Sequence, residues 1–297
     1  MSHRTRYTIH HTPYTEHCTL SVVLATRNEE ANIRRVIASV QDLADEIIVV
    51  DEGSTDKTRS IAKELGAKVF KVKHEPIFHK TKQKALAKAK GDWILQLDAD
   101  EVVTSGLAEE IKSVLEGRHK RGGGDKNKLF LRHQKLLESR DGKLGKDTGE
   151  IVAYFIPRRN YFLGKPLIHA GVYPDAVIRL VKKGKARFPG ESVHEQIEVD
   201  GNVAWLFNDL KHNDSPTLRR YIARMNRYTD LQSEEFEAKK LSKNFFTLFL
   251  YTTFLPFINF LKLYFRHKGF LDGMRGFLWS LLSSLHFPLA YYKYQTR

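Results

Sequence analysis

Four short apolar runs rich in β-branched residues punctuate the first hundred positions, at 19–25, 46–51, 67–73 and 93–98. Their length and composition predict strands. Between the first two, Ile33, Val36, Ile37 and Val40 recur at i, i+3, i+4 and i+7, the stripe of an amphipathic helix, and Thr26 with Glu29 supplies a capping-box start. A second helix is expected from about Ser54 through Ile61 and Leu65 to Gly66, and a third over 82–89. Strands alternating with helices predict an α/β fold: a Rossmann-like, mostly parallel sheet flanked by helices, with right-handed crossovers. Function is then expected at the C-terminal ends of the strands.

Beyond position 210 the pattern changes. Residues 211–297 hold 14 Lys and Arg against six Asp and Glu, and 16 of the 33 aromatic residues lie in 244–297. Two uncharged runs, 244–261 and 276–292, sit at the lower limit for crossing a bilayer, and Pro256, Asn259, His286 and Pro288 interrupt them. Helices lying in the membrane interface, or a re-entrant pair, are therefore expected rather than true spans. The competing expectation is a buried helical pair completing a soluble core. The domain plan is a flexible His-containing tail over 1–18, an α/β domain over 19–210 and a helical, basic and aromatic membrane-associating appendage over 211–297. Within the α/β domain, 117–150 carries ten basic and five acidic residues around Gly122, Gly123 and Gly124, and reads as an inserted, solvated loop.

Composition narrows the function classes. The 297 residues carry a formal net charge of +14, are 41% hydrophobic and 11% aromatic, and have a mean hydropathy of −0.42, which fits neither a disordered chain nor a polytopic membrane protein. The single cysteine, Cys18, excludes an internal disulfide, and the polar, His-containing start lacks the apolar stretch of a secretory signal. A cytoplasmic setting is expected. The basic excess calls for an anionic partner, and the uncharged runs point to a membrane surface rather than nucleic acid.

The strand ends carry the candidate chemistry. The first is followed by ATRNEE, with neither a G-x-G-x-x-G nor a G-x-x-x-x-G-K-[ST] motif, so dehydrogenase and P-loop kinase readings fall. After the second come Asp51, Glu52, Gly53 and Ser54. Asp51 can accept hydrogen bonds from a base or ribose, and turn and cap duty is the plainer alternative for Asp51 and Ser54. After the fourth come Asp98, Ala99, Asp100 and Glu101. Two carboxylates at i and i+2 can approach one hard divalent cation, Mg or Mn, whose remaining ligands would be diphosphate oxygens.

The motifs VVLATRNEEANI, VVDEGSTDKT and GDWILQLDADE, in this order and spacing, resemble glycosyltransferase family 2. That resemblance implies an A-type glycosyltransferase fold, a nucleotide-diphosphate-sugar donor and inversion at the anomeric carbon. It implies that Thr26 and Glu29 line the nucleotide pocket, that Asp51 meets the uracil or ribose, and that Asp98 and Asp100 form the metal and diphosphate motif. Glu52 stands where many members have a second Asp. Residues 157–175, 178–195, 218–235 and 269–282 are similar to the bacterial lipopolysaccharide inner-core β-1,4-glucosyltransferase-like branch. This similarity implies a UDP-sugar donor, transfer of glucose or a related hexose to a lipopolysaccharide-core or lipid-linked glycan, and a place on the cytoplasmic side of the inner membrane beside anionic lipid.

An inverting transfer needs a carboxylate to take the acceptor's proton. The similar branch carries a His-Glu pair where donor and acceptor meet, which selects Glu195; Glu191 and Asp175 compete. His194 would ligate the cation or orient Glu195, or serve only as a hydrogen-bonded structural residue. Arg179 is a candidate for pairing with diphosphate, with a surface ion pair as the alternative. Arg158, Arg159 and His169 are assigned to the acceptor side, and Lys80, Lys82 and Lys84 to a solvated helix face. Two other functions compete: a nucleotidyltransferase, whose usual Gly-rich first loop is missing, and a non-catalytic basic adaptor binding membrane or nucleic acid.

Overall fold

A computed structural model describes residues 18–119, 125–142, 145–146, 148–190 and 196–297. The predicted alternation is present: β1 (Leu20–Thr26), α1 (Ile33–Ala38), β2 (Glu46–Asp51), α2 (Thr58–Glu64), β3 (Lys68–Lys71), α3 (Phe78–Lys88) and β4 (Trp93–Leu97). Then follow β5 (Glu101–Val103), α4 (Ser105–Leu115), α5 (Asp125–Asp141), β6 (Ile151–Ile156), β7 (Arg158–Phe162), β8 (Lys165–Pro166) and β9 (Val177–Lys182). The domain closes with β10 (Ala186–Arg187), β11 (Glu198–Val199), β12 (Asn202–Trp205) and β13 (Leu210–Ser215).

The central sheet has the order β12-β6-β9-β4-β1-β2-β3, parallel through β4-β1-β2-β3 and antiparallel where β9 inserts between β6 and β4. β1, β2 and β4 are buried on both faces, which is why they read as continuous Val, Ile and Leu runs. Their register places Thr26 beside Asp51 and Leu24 beside Leu97, so the functional ends of three strands are level. A second sheet, β5-β13-β7-β8, crosses the same end.

Two expectations are corrected here. Thr26 is the last residue of β1 rather than a cap; α1 begins at Ile33 after Asn32, whose amide donates to the Glu29 carboxylate at 2.7 Å. The segment 117–150 is not a loop throughout, because α5 is a 17-residue helix. It is anchored by Phe130, fully buried and stacked on Trp205 at 4.7 Å.

The C-terminal region is helical, as expected. α6 (Leu218–Ala238) leads to a continuous helix over Phe245–Arg266, in which α7 (Phe245–Phe249) and α8 (Leu255–Leu261) are joined and followed by π-helical turns. This helix is long and apolar enough to cross a membrane, and only 6% of its most apolar window is buried. α9 (Gly273–Gln295) returns against α6 and α8. The reversal is tight: a Cβ at Gly276 would stand 1.9 Å from the Gly269 carbonyl oxygen. Asp272 clips the helices to the α/β domain by accepting from the backbone of Ile168 and His169 at 3.1 and 2.8 Å and from the His169 ring at 2.9 Å. Phe162, Tyr221 and Trp279 complete the joint with edge-on ring contacts at 5.4–5.5 Å.

At the opposite end of the sheet Glu46 accepts from Ser21 Oγ, Lys90 N and Lys68 Nζ, each at 2.7 Å. Burial opposes its ionisation, but these bonds outweigh it and hold the carboxyl at about 2 against its ordinary 4.5. Because the folded pKa is depressed, the stability it confers is complete above pH 4.5 and is lost as pH falls toward 2. Glu46→Gln is expected to lower the urea midpoint at neutral pH and to flatten its acid dependence across that window. An unchanged pH slope in the variant would count against this account.

Candidate active site

The ends of β1 and β4, helix α3, the inner strands β7 and β13, and helices α6, α8 and α9 line a cavity of about 860 Å³. Such concavities at strand C-termini are the usual ligand sites of open α/β sheets. Glu29, Lys82, Asp98, Asp100, Arg158, Asp175 and His212 line its inner part, while Asn259, Leu263, Trp279 and Ser283 form the wall contributed by the C-terminal helices.

Beneath the cavity lies a network of alternating charges. Asp98 receives Lys82 Nζ on Oδ1 at 2.6 Å and Arg179 on Oδ2. Arg179 also reaches the fully buried Glu101 at 2.7 Å and donates to Gln96. Arg158 joins Glu101 at 3.3 Å to Asp175 at 2.9 Å, and Asn160 donates to the same Asp175 oxygen at 2.8 Å. Burial works against ionisation of Asp98, but the positive charges of Arg179 and Lys82 outweigh it and hold the carboxyl well below its ordinary range. Burial lowers the Lys82 ammonium, partly offset by Asp98. Glu29 is raised, chiefly by burial and further by the nearby Asp100 charge.

Several site residues are placed differently from the sequence expectation. Arg179 does not reach toward a diphosphate; it is 5% exposed and spent on Asp98, Glu101 and Gln96. Lys82 is not on a solvated face; it is 7% exposed and lines the cavity. The signal was present in the sequence: Phe78, Lys82, Ala85, Leu86 and Ala89 fall on one helical stripe. Asp51 is fully buried, accepting from Ser54 N at 2.9 Å, from the Ser54 hydroxyl and from Thr26 Oγ1 at 3.3 Å, with Arg59 Nε at 3.4 Å. Gly53, at φ +75°, makes this turn possible. Glu191, His194 and Glu195 lie outside the described residues. Arg159 pairs with Asp209 and His169 with Asp272, and neither lines the cavity.

His212 is the residue that sequence reasoning missed. Its Nδ1 meets the Asn160 carbonyl oxygen at 2.6 Å, which assigns the proton to Nδ1 and leaves Nε2 facing Asp100 Oδ1 at 3.6 Å. An imidazole nitrogen and a carboxylate oxygen converging on a cavity are a donor set suited to a divalent cation, with Asn160 fixing the ring from behind. Asp98, whose two oxygens are both engaged, supplies negative charge below. No group of three His, Cys, Asp or Glu side chains is arranged for a metal among the described residues, so oxygens of a bound ligand would have to complete the shell.

The network makes a stability prediction. Arg179→Leu leaves Asp98 and Glu101 under-compensated and is expected to cost about 3–5 kcal/mol. Arg179→Lys, which keeps the charge, should cost clearly less. Denaturant unfolding of both variants checks this; equal losses would mean that packing rather than charge is responsible.

Comparison with known proteins identifies the chain's relatives. Residues 21–135 match the profile described as glycosyl transferase family 2. The chain is 27% identical over 278 residues to the lipopolysaccharide core biosynthesis glycosyltransferase LpsC of Rhizobium meliloti (strain 1021), covering 89% of this chain and 90% of that one. It is 30% identical over 277 residues to an uncharacterized glycosyltransferase of Rickettsia felis (strain ATCC VR-1525 / URRWXCal2), covering 89% and 84%. A solved structure, glucosyl-3-phosphoglycerate synthase from Mycobacterium tuberculosis in complex with Mn2+ and UDP-glucose, is 29% identical over 47% of this chain and 57% of that chain, with a TM-score of 0.33. So loose a superposition lends no geometry to the present site.

Proposed function

Because the chain belongs to glycosyltransferase family 2, we propose that it is an inverting hexosyltransferase that moves glucose or a related hexose from a UDP-sugar to a lipopolysaccharide-core or lipid-linked glycan. That it is a nucleotide-sugar-dependent glycosyltransferase follows from its family. The donor, the acceptor and the cation are our reading. The observation that carries it is the placing of Asp98 and Asp100 at the C-terminal end of β4, on the floor of a cavity whose outer wall is built from the exposed apolar helices. LpsC, named for lipopolysaccharide core biosynthesis, supports the acceptor class. A non-catalytic adaptor would have no use for a buried, charge-balanced carboxylate floor.

In this reading Thr26, Glu29 and the Asp51 turn shape the nucleotide end. Asp100 and His212, together with His194, would hold Mg or Mn. When bound, the cation supplies positive charge to the departing diphosphate. The acceptor hydroxyl attacks the anomeric carbon as the bond to the diphosphate oxygen breaks, and Glu195 takes the hydroxyl proton. Asp175 has its Oδ2 engaged by both Arg158 and Asn160, which counts against it as the base.

Calorimetric titration of UDP into the full chain tests the donor site. Binding should tighten with Mn2+ and lose that dependence in Asp100→Asn. Glu195→Gln should bind UDP as the wild type does yet turn over at least about a hundredfold more slowly, the scale of general-base contributions. UDP binding that ignores both the cation and Asp100 would overturn the metal assignment, and near-normal turnover in Glu195→Gln would remove it as base.

We also propose a peripheral or monotopic position on the cytoplasmic face of the inner membrane. Phe245, Phe246, Phe254 and Phe257 are 49–82% exposed along the apolar helix, and the surrounding segment is basic. Aromatic side chains and Lys or Arg together favour an anionic interface. The full chain should float with vesicles containing anionic lipid and do so less with neutral ones. Sedimentation free of both would reject membrane association.

A further inference from the structure

The outer part of the cavity is continuous with a smaller chamber of about 260 Å³ between α6 and α9; Arg224, Tyr228, Trp279 and Ser283 line both, and Tyr221 and His286 close the chamber. That is the scale of a single sugar residue rather than of a whole nucleotide sugar.

The wall supplied by α6 is unusual in its charge. Arg220, Arg224 and Arg227 stand at i, i+4 and i+7, one row along one helix face. Arg220 reaches Asp100 at 3.3 Å, and Arg224 pairs with Asp214. Arg227 lies over the Tyr228 ring at 5.5 Å and forms no ion pair among the described residues. The row therefore leads from the candidate cation site outward to a guanidinium with no carboxylate.

The row also opposes the helix's own electrostatics. α6 has no acidic residue in its first turn and no basic residue in its last, whereas the macrodipole favours acids at the start and bases at the end. The acids of its C-terminal half are matched instead by α9 and the chain end: Asp230 by Lys293 at 2.8 Å, and Glu234 by Arg297 at 3.1 Å. In the basic N-terminal half Arg220 and Arg224 are met by Asp100 and Asp214, whereas Arg227 lines the cavity with no ion pair among the described residues.

We propose that the outer end of the cavity, with the chamber opening from it, is an acceptor subsite for a sugar residue bearing a phosphate or carboxylate group, held by Arg227, which lines the cavity beside the chamber, and lying against Tyr228 and Trp279, which line both. Guanidinium forks match such anions in two-point geometry, and aromatic faces suit the apolar side of a sugar ring. The anionic residue sits beside the acceptor sugar whose hydroxyl attacks, so the subsite selects the acceptor and leaves the donor untouched. The assignment rests on the glycosyltransferase reading and adds the acceptor's charge to it.

The test uses the full chain in detergent micelles, saturated with UDP and Mn2+ so that the diphosphate site is filled, and titrated with glucose 6-phosphate, glucose and inorganic phosphate. Glucose 6-phosphate is expected to bind at least about tenfold more tightly than either of the others, the scale of one charge-assisted contact. Arg227→Gln should remove that preference, and Arg227→Lys should restore part of it. No binding of the sugar phosphate at millimolar concentration, equal binding of glucose, equal binding of inorganic phosphate, or a preference that persists in Arg227→Gln would each overturn the subsite. UDP titration of each protein separates the two levels: UDP binding without a preference overturns this proposal alone, and failure to bind UDP overturns both.

Discussion

Ionised side chains rarely lie under a protein's active surface unless each finds an opposite charge, and here that constraint organises the molecule. Asp98, Glu101 and Asp175 are met by Lys82, Arg179 and Arg158, which come from α3, β9 and β7. Removing any one partner strands a charge in low dielectric. Because the partners lie on separate elements, the network is satisfied only when helix, antiparallel insert and second sheet are all seated. It thereby fixes the height of the carboxylate floor against the parallel strands and leaves Asp100 to face the cavity.

Much of the fold was legible in the sequence because its central strands are buried on both faces. β1, β2 and β4 must be continuous apolar runs, and nothing else in the first hundred residues competes with that pattern. The acidic residues that follow β2 and β4 were legible for the same reason, since a strand's end locates whatever comes next. The capping-box reading of Thr26 failed because backbone pairing with β2 claimed that residue first.

What could not be read has equally definite causes. β13 carries Lys211, His212, Asn213 and Asp214, a strand without apolar alternation because its alternate side chains His212 and Asp214 line the cavity. Periodicity has no means of finding such a strand, and with it His212 was lost. Arg179 looked outward-reaching because sequence shows a guanidinium but not the Glu101 that awaits it across 78 residues. α5 was hidden by the ten basic residues of 117–150, although the buried Phe130 and the partly buried Leu137 stand a heptad apart on one face. In each case the deciding partner came from far along the chain.

The joint between the α/β domain and the C-terminal helices has a consequence for how such a protein can change. Asp272 and the Phe162–Tyr221–Trp279 cluster do more than fasten the C-terminal helices, because the helices they hold form one side of the candidate site's cavity. The exposed apolar helix and one wall of the candidate site are thus one hereditary unit. A lineage could not exchange the outer apolar surface of these helices without also reshaping the cavity wall behind it.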